Sequence, residues 1–127
     1  MKRSFLITIL ALAVAIPAAA LASGGEGTRI ALEPSKAFPA ARGSAKFKAK
    51  PGERELQLEV EHIRRLAGRE VVFVVAGAKL GAAKVSVLGA ARLNRNSERG
   101  QRVPQVKAGT VVKVRTVGGR TVVSGSF

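Results

Sequence analysis

From Thr28 onward, apolar and polar residues alternate one for one over stretch after stretch, the two-residue period of strands with one buried and one wet face. Ile30 and Leu32 alternate with Arg29, Ala31 and Glu33 to give a first strand. Pro34 stops it and, with Pro39, marks a loop running to about Gly43. Ala45, Phe47 and Ala49 then alternate with Lys46, Lys48 and Lys50, and Leu56, Leu58 and Val60 with Glu55, Gln57 and Glu59. Taking Pro51-Gly52-Glu53-Arg54 as the turn pairs Lys50 with Glu55, Phe47 with Leu58 and Lys46 with Glu59. That register sets apolar against apolar and opposite charge against opposite charge. A second hairpin runs through Val112, Val114 and Thr116, then Thr121, Val123 and Gly125. Gly118-Gly119 between them suits a two-residue turn, with Val117 facing Arg120, Val114 facing Val123 and Phe127 on the apolar side.

The run Val71 to Ala76 is continuously apolar, as in a central strand covered on both faces. Gly77 and Ala78 can turn it back through Leu80 to Val87, and Ala90 to Asn94 gives a further short strand. Asn94 to Gly100 is turn chemistry, and Val103-Pro104 with Ala108-Gly109 brackets another turn. Glu61 to Arg69 is limited to a turn by Gly68. The pattern predicts an all-β domain, a small antiparallel β-sandwich or barrel of about seven to eight strands.

The segment before Thr28 breaks the alternation. Met1-Lys2-Arg3 is positive, Phe5 to Ile16 is apolar apart from Thr8, and Pro17 precedes Ala18-Ala19-Ala20-Leu21-Ala22. This is the layout of a signal peptide, with an apolar run too short for a spanning helix. Cleavage is expected after Ala22, with Ala20 and Ala22 as the small-residue pair. The expected organisation is a signal peptide at 1–22, a flexible Ser-Gly-Gly-Glu-Gly lead-in at 23–27, and one basic β domain at 28–127. The mature protein is expected to be secreted or periplasmic and without a transmembrane segment. Removing 22 of the 127 residues leaves 105, the size of one domain. With no cysteine anywhere, neither a disulfide nor a lipid-modified cysteine can assist it.

Cleavage also removes Lys2 and Arg3, leaving 20 basic against eight acidic residues and a net charge of +12. Lys46, Lys48 and Lys50 share one strand face, Lys113 and Arg115 another, and Arg92, Arg95, Arg99 and Arg102 crowd the segment around the asparagine-containing turn. These nine are the candidate contacts for a polyanion: nucleic acid, anionic lipid or an acidic cell-surface polymer. The competing explanation is compositional, since net charge also serves solubility.

The mature chain holds one histidine, His62, and no cysteine, aspartate, tryptophan or tyrosine. Clustered metal ligands, calcium loops, a serine triad with its nucleophile elbow, and phosphate-cradling or dinucleotide motifs are all missing. No metal, cofactor or catalytic set is expected. Glu59 and Glu61 stand two apart on one strand face, but a solvated face opposing lysines explains them better than an acid–base pair, which needs a pocket. His62 reads as a loop or edge residue. Phe38, Phe47, Phe73 and Phe127 fall mostly at core positions, so no stacking platform for sugars or bases is left.

Gly43-Ser44-Ala45-Lys46-Phe47, Gly100-Gln101-Arg102-Val103-Pro104 with Ala108-Gly109, and the closing Ser124-Gly125-Ser126-Phe127 resemble a loose group of secreted bacterial β domains of uncharacterised role. In layout the stretch Thr28 to Phe127 is remotely similar to CHRD-type domains. The resemblance implies an exported β-sandwich. The CHRD pattern carries a His-x-His element that this chain lacks, having only His62. The expectation is therefore a non-enzymatic exported domain that binds or forms part of the envelope. One alternative is a polyanion-binding module, marked by salt-sensitive interaction. The other is an enzyme of unrecognised type, which would need a concave pocket holding a glutamate.

Overall fold

A computed structural model describes residues 27–127. The expected signal peptide, its cleavage site and the lead-in up to residue 26 lie outside the described residues. The remainder is all-β. Eight strands run β1 (Thr28–Pro34), β2 (Arg42–Lys50), β3 (Glu53–Glu61), β4 (Glu70–Val75), β5 (Ala78–Lys84), β6 (Ala91–Asn96), β7 (Val111–Thr116) and β8 (Thr121–Ser126). Two short 3-10 turns, Arg64–Leu66 and Ser97–Arg99, interrupt the connections. Among the described residues no helix is long and apolar enough to cross a membrane.

The strands form one antiparallel sheet in the order β5-β4-β7-β8-β1-β2-β3-β6, curled until its two ends lie side by side. Of the two architectures the pattern allows, the chain adopts the barrel. Strand β1 makes the corner: Thr28 to Leu32 pair with β2, whereas Glu33 and Pro34 pair with β8. The ring is not closed by a backbone ladder. Instead β6 side chains lie against β5, where a Cβ at Gly81 would meet Leu93 and the Arg95 guanidinium. Arg95 Nη2 reaches the Leu80 carbonyl at 3.5 Å. Leu80 is the extra residue of a bulge on β5, which bends that edge strand away from further pairing.

The inward positions fill the barrel. Ala45, Leu56, Leu58, Val60, Val71, Phe73, Val112, Val114, Val122 and Val123 are wholly buried. Each such valine or leucine contributes about 1.5–3 kcal/mol relative to exposure. Val122 and Val123 are neighbours yet both buried, because a bulge between the Val114 and Arg115 pairings lets two consecutive residues turn inward. Val71 to Val75 sit centrally between β5 and β7, as the apolar run predicts, although Val74 is only half-buried.

The expected register of the first hairpin is corrected by two residues. Lys50 pairs with Glu53, Lys48 with Glu55, Phe47 with Leu56, Ala45 with Leu58 and Lys46 with Gln57. The turn is Pro51-Gly52 alone, with Gly52 at φ 82°, the positive value that follows proline in a type II turn. A shift of two keeps every side chain on its face, and the shorter turn gains ladder pairs that Glu53 and Arg54 would otherwise forgo. The second hairpin is corrected at its tip. Val114 does face Val123, but the loop is Val117-Gly118-Gly119, closed by Thr116 N–H donating to the Arg120 carbonyl at 2.8 Å. Val117 is consequently exposed instead of facing Arg120. The β4–β5 turn is Ala76-Gly77, both at positive φ, one residue earlier than expected. Strand β5 ends at Lys84, short of Val87. Strand β6 runs on to Asn96 before the turn begins, and Asn96 Oδ1 accepts from Glu98 N–H at 2.8 Å.

Candidate functional site

Because all pairings are antiparallel, every odd-numbered strand runs toward one end of the barrel and every even-numbered strand runs back. The four odd-to-even connections, residues 35–41, 62–69, 85–90 and 117–120, therefore converge on one rim, here called the upper rim. Connections 62–69 and 85–90 are tied together by backbone hydrogen bonds, Ile63 N–H to Gly89 O at 3.0 Å and Gly68 N–H to Val85 O at 2.8 Å, and Ser35 N–H ties connection 35–41 to Val122 O of β8 at 3.0 Å. Gly89 has φ 85°, and a Cβ there would stand 2.7 Å from the Arg64 nitrogen, so only glycine lets loop 85–90 close on loop 62–69.

This rim carries Lys36, Arg64, Arg65, Arg69 and Arg120, all exposed, against Glu61 and Glu70. Arg65 is fixed in two ways. Its guanidinium lies 4.6 Å from the centroid of the buried Phe38 ring, and its Nη2 donates to the Ala37 carbonyl at 3.2 Å. Two hollows share Phe38 and Arg65. One, of about 650 Å3, is bordered by Arg65, Arg69, Glu70, Val117 and Arg120. The other, of about 540 Å3, is bordered by Pro39, His62, Ile63, Arg64 and Leu88. His62, at φ 63°, sits in the connection, its Nε2 3.8 Å from Glu61 Oε1.

The nine residues singled out by sequence do not form one surface. Lys46, Lys48 and Lys50 do point outward together on β2, but β3 sets its glutamates beside them. Lys48 Nζ lies 3.9 Å from Glu55 and Lys50 Nζ 3.9 Å from Glu53, while Arg92 Nη2 bonds Glu59 at 2.9 Å. Exposed pairs of this kind add little stability, yet they cancel the local field that an anion would feel. Lys46 and the adjoining Arg29 border a shallow polar hollow of about 380 Å3 with Gln57 and Asn94. Arg95 is spent on the β5–β6 seam. Arg99 and Arg102 are exposed at the lower end, and Lys113 and Arg115 line the outer face of β7. Arg92, Arg95, Arg99 and Arg102, neighbours in sequence, are thus dispersed over three places.

Glu59 and Glu61 lie on the outer face of β3 and at its end, one bonded to Arg92 and the other beside His62. Among the described residues no three metal-ligating side chains cluster. The sequence reading passes over Lys36, Arg64, Arg65, Arg69 and Arg120 because they fall in three connections far apart in the chain, with only Arg64, Arg65 and Arg69 in one of them. The signal available is their shared parity: all lie on odd-to-even connections. No family model, curated protein or solved structure matches the chain.

Proposed function

We propose that the chain is an exported, non-enzymatic binding domain of the cell envelope or its surroundings, and that its upper rim engages anionic groups. The observation that carries this reading is the unequal neutralisation of charge. Lys48 and Lys50 of β2 and Arg92 of β6 are paired with glutamates, whereas none of the ion pairs among the described residues involves Lys36, Arg64, Arg65, Arg69 or Arg120. Clustered guanidiniums outside any ion pair attract phosphate, sulfate or carboxylate groups, and Arg suits such groups through its planar fork. Export is supported by the Met1-to-Ala22 pattern, and secreted material is expected to begin at Ser23. N-terminal sequencing decides that point, and a start upstream of Pro17 would reject it.

The binding reading is tested with a short duplex DNA as a generic polyanion. The dissociation constant of residues 23–127 is followed against salt, since each neutralised phosphate releases condensed counterions. Replacing Arg65, Arg69 and Arg120 together by Gln is expected to flatten the log–log slope by about 0.9 per guanidinium engaged, so by up to about 3. Replacing Lys46, Lys48 and Lys50 by Gln is expected to leave the slope close to wild type. Salt-insensitive binding, or the larger effect from the lysines, would reject the assignment to the upper rim.

A further inference from the structure

We propose that the upper rim docks on an anionic phospholipid surface, with Val87, Leu88 and Val117 entering the headgroup layer and the surrounding guanidiniums meeting phosphates. The inference rests on the anion-binding reading of this rim and names its partner.

Four large apolar side chains are left exposed among the described residues, and three of them sit here: Val87 at 83 %, Leu88 at 71 % and Val117 at 67 %. They come from two different connections, 85–90 and 117–120, that the topology brings to the same end as the cations. Two of the three border the basic residues directly. Val117 shares a hollow with Arg65, Arg69 and Arg120, and Leu88 shares the adjoining one with Arg64 and Arg65. Singly exposed valines and leucines are ordinary. Apolar tips ringed by cations are instead the composition of an interfacial anchor: hydrocarbon reaches the acyl boundary while long basic side chains stay at the phosphate level. The tips are also presented on fixed backbone, because loop 85–90 is bonded to loop 62–69 through Gly89 O and Val85 O.

The chemistry favours lipid over the other polyanions. Duplex DNA and acidic glycans offer no hydrocarbon for Val87, Leu88 and Val117. A single-stranded nucleic acid wants exposed rings, whereas Phe38 is buried under Arg65. A membrane provides both layers at once, and each cation close to an anionic leaflet strengthens binding by about five-fold.

The test is sedimentation of residues 23–127 with phosphatidylcholine vesicles, with and without phosphatidylglycerol, beside the duplex DNA titration. Wild type is expected to pellet with the phosphatidylglycerol vesicles and to stay free of pure phosphatidylcholine. Replacing Val87, Leu88 and Val117 together by Ser should weaken vesicle binding by roughly ten- to a hundred-fold, the effect of withdrawing partly buried valine and leucine side chains from hydrocarbon. The same variant should keep the wild-type DNA affinity and salt slope, and a cooperative thermal melt confirms that it is folded. Equal vesicle binding by variant and wild type overturns the inference, since charge alone would then account for it. Wild type that binds DNA but neither vesicle also overturns it and leaves the anion reading standing. Failure on both probes removes the two together.

Discussion

Replacing Phe73 by Ala is expected to lower the free energy of unfolding by about 3–5 kcal/mol. The ring is wholly buried on β4, the strand held between β5 and β7, where its backbone partners are Gly81 and Val114. Gly81 has no side chain to move into the vacated space. The far wall is a curled sheet that cannot collapse by sliding one strand, because each is laddered to its neighbour. Sites that relax poorly give the upper part of the large-to-small range. For a domain with about 5–15 kcal/mol in hand, that is roughly a fifth or more of its stability. Lys48→Ala, on the outer face, should stay within about 0.5 kcal/mol. Urea unfolding at unchanged m-value reads both. Equal midpoint shifts would mean that the inner and outer faces are misassigned.

Gly43→Val is expected to be destabilising by about 3 kcal/mol or more, at the upper end of overpacking costs. A Cβ at Gly43 would stand 3.0 Å from Leu32 Cβ, 3.1 Å from the Glu59 carbonyl oxygen and 3.1 Å from Val123 Cγ2, before either valine methyl is added. These neighbours belong to β1, β3 and β8, so relief would require the corner at β1 to open. Gly125 is confined from the other side, by the Ala31 carbonyl at 2.9 Å and Leu32 Cδ2 at 3.0 Å. Gly118→Ala is the matching control, since a Cβ there meets only Thr116 Oγ1, at 3.9 Å. Thermal melts separate the two, and wild-type melting of Gly43→Val would show that β1 does not hold the corner as described.

The inner and outer faces are legible in the sequence because a strand has period two. Phe47, Leu56, Leu58, Val114 and Val123 all enter the core where the alternation puts them. Register is less legible. Lysine recurs at 46, 48 and 50 of β2 and glutamate at 53, 55 and 59 of β3, so pairing Lys50 with Glu55 or with Glu53 satisfies charge almost equally. Turn length decides between them, and Pro51-Gly52 alone completes the tighter one. The bulges at Leu80 and Val122 break the very period by which faces are read, and nothing in the local residues announces them. The upper rim is missed for a different reason. Lys36, Arg65 and Arg120 are far apart in sequence and each sits in a loop of mixed composition. Adding charge along strand faces favours the β2 lysines, which β3 then neutralises. Adding it over alternate connections of an antiparallel chain would have gathered the rim.

Because β1 is laddered to both β2 and β8, the first strand waits for the last. Until Ser124 and Val123 are in place, Glu33 and Pro34 have no partner on that side, and Val122 and Val123 are missing from the interior. A chain whose closing contacts span nearly its whole length pays the loop-closure entropy before those contacts reward it. Folding is then slow relative to local hairpin formation and is coupled to the arrival of β8. Such timing suits a polypeptide proposed to be threaded across a membrane unfolded: while its C-terminal hairpin is still behind, the part that leads has no barrel to collapse into.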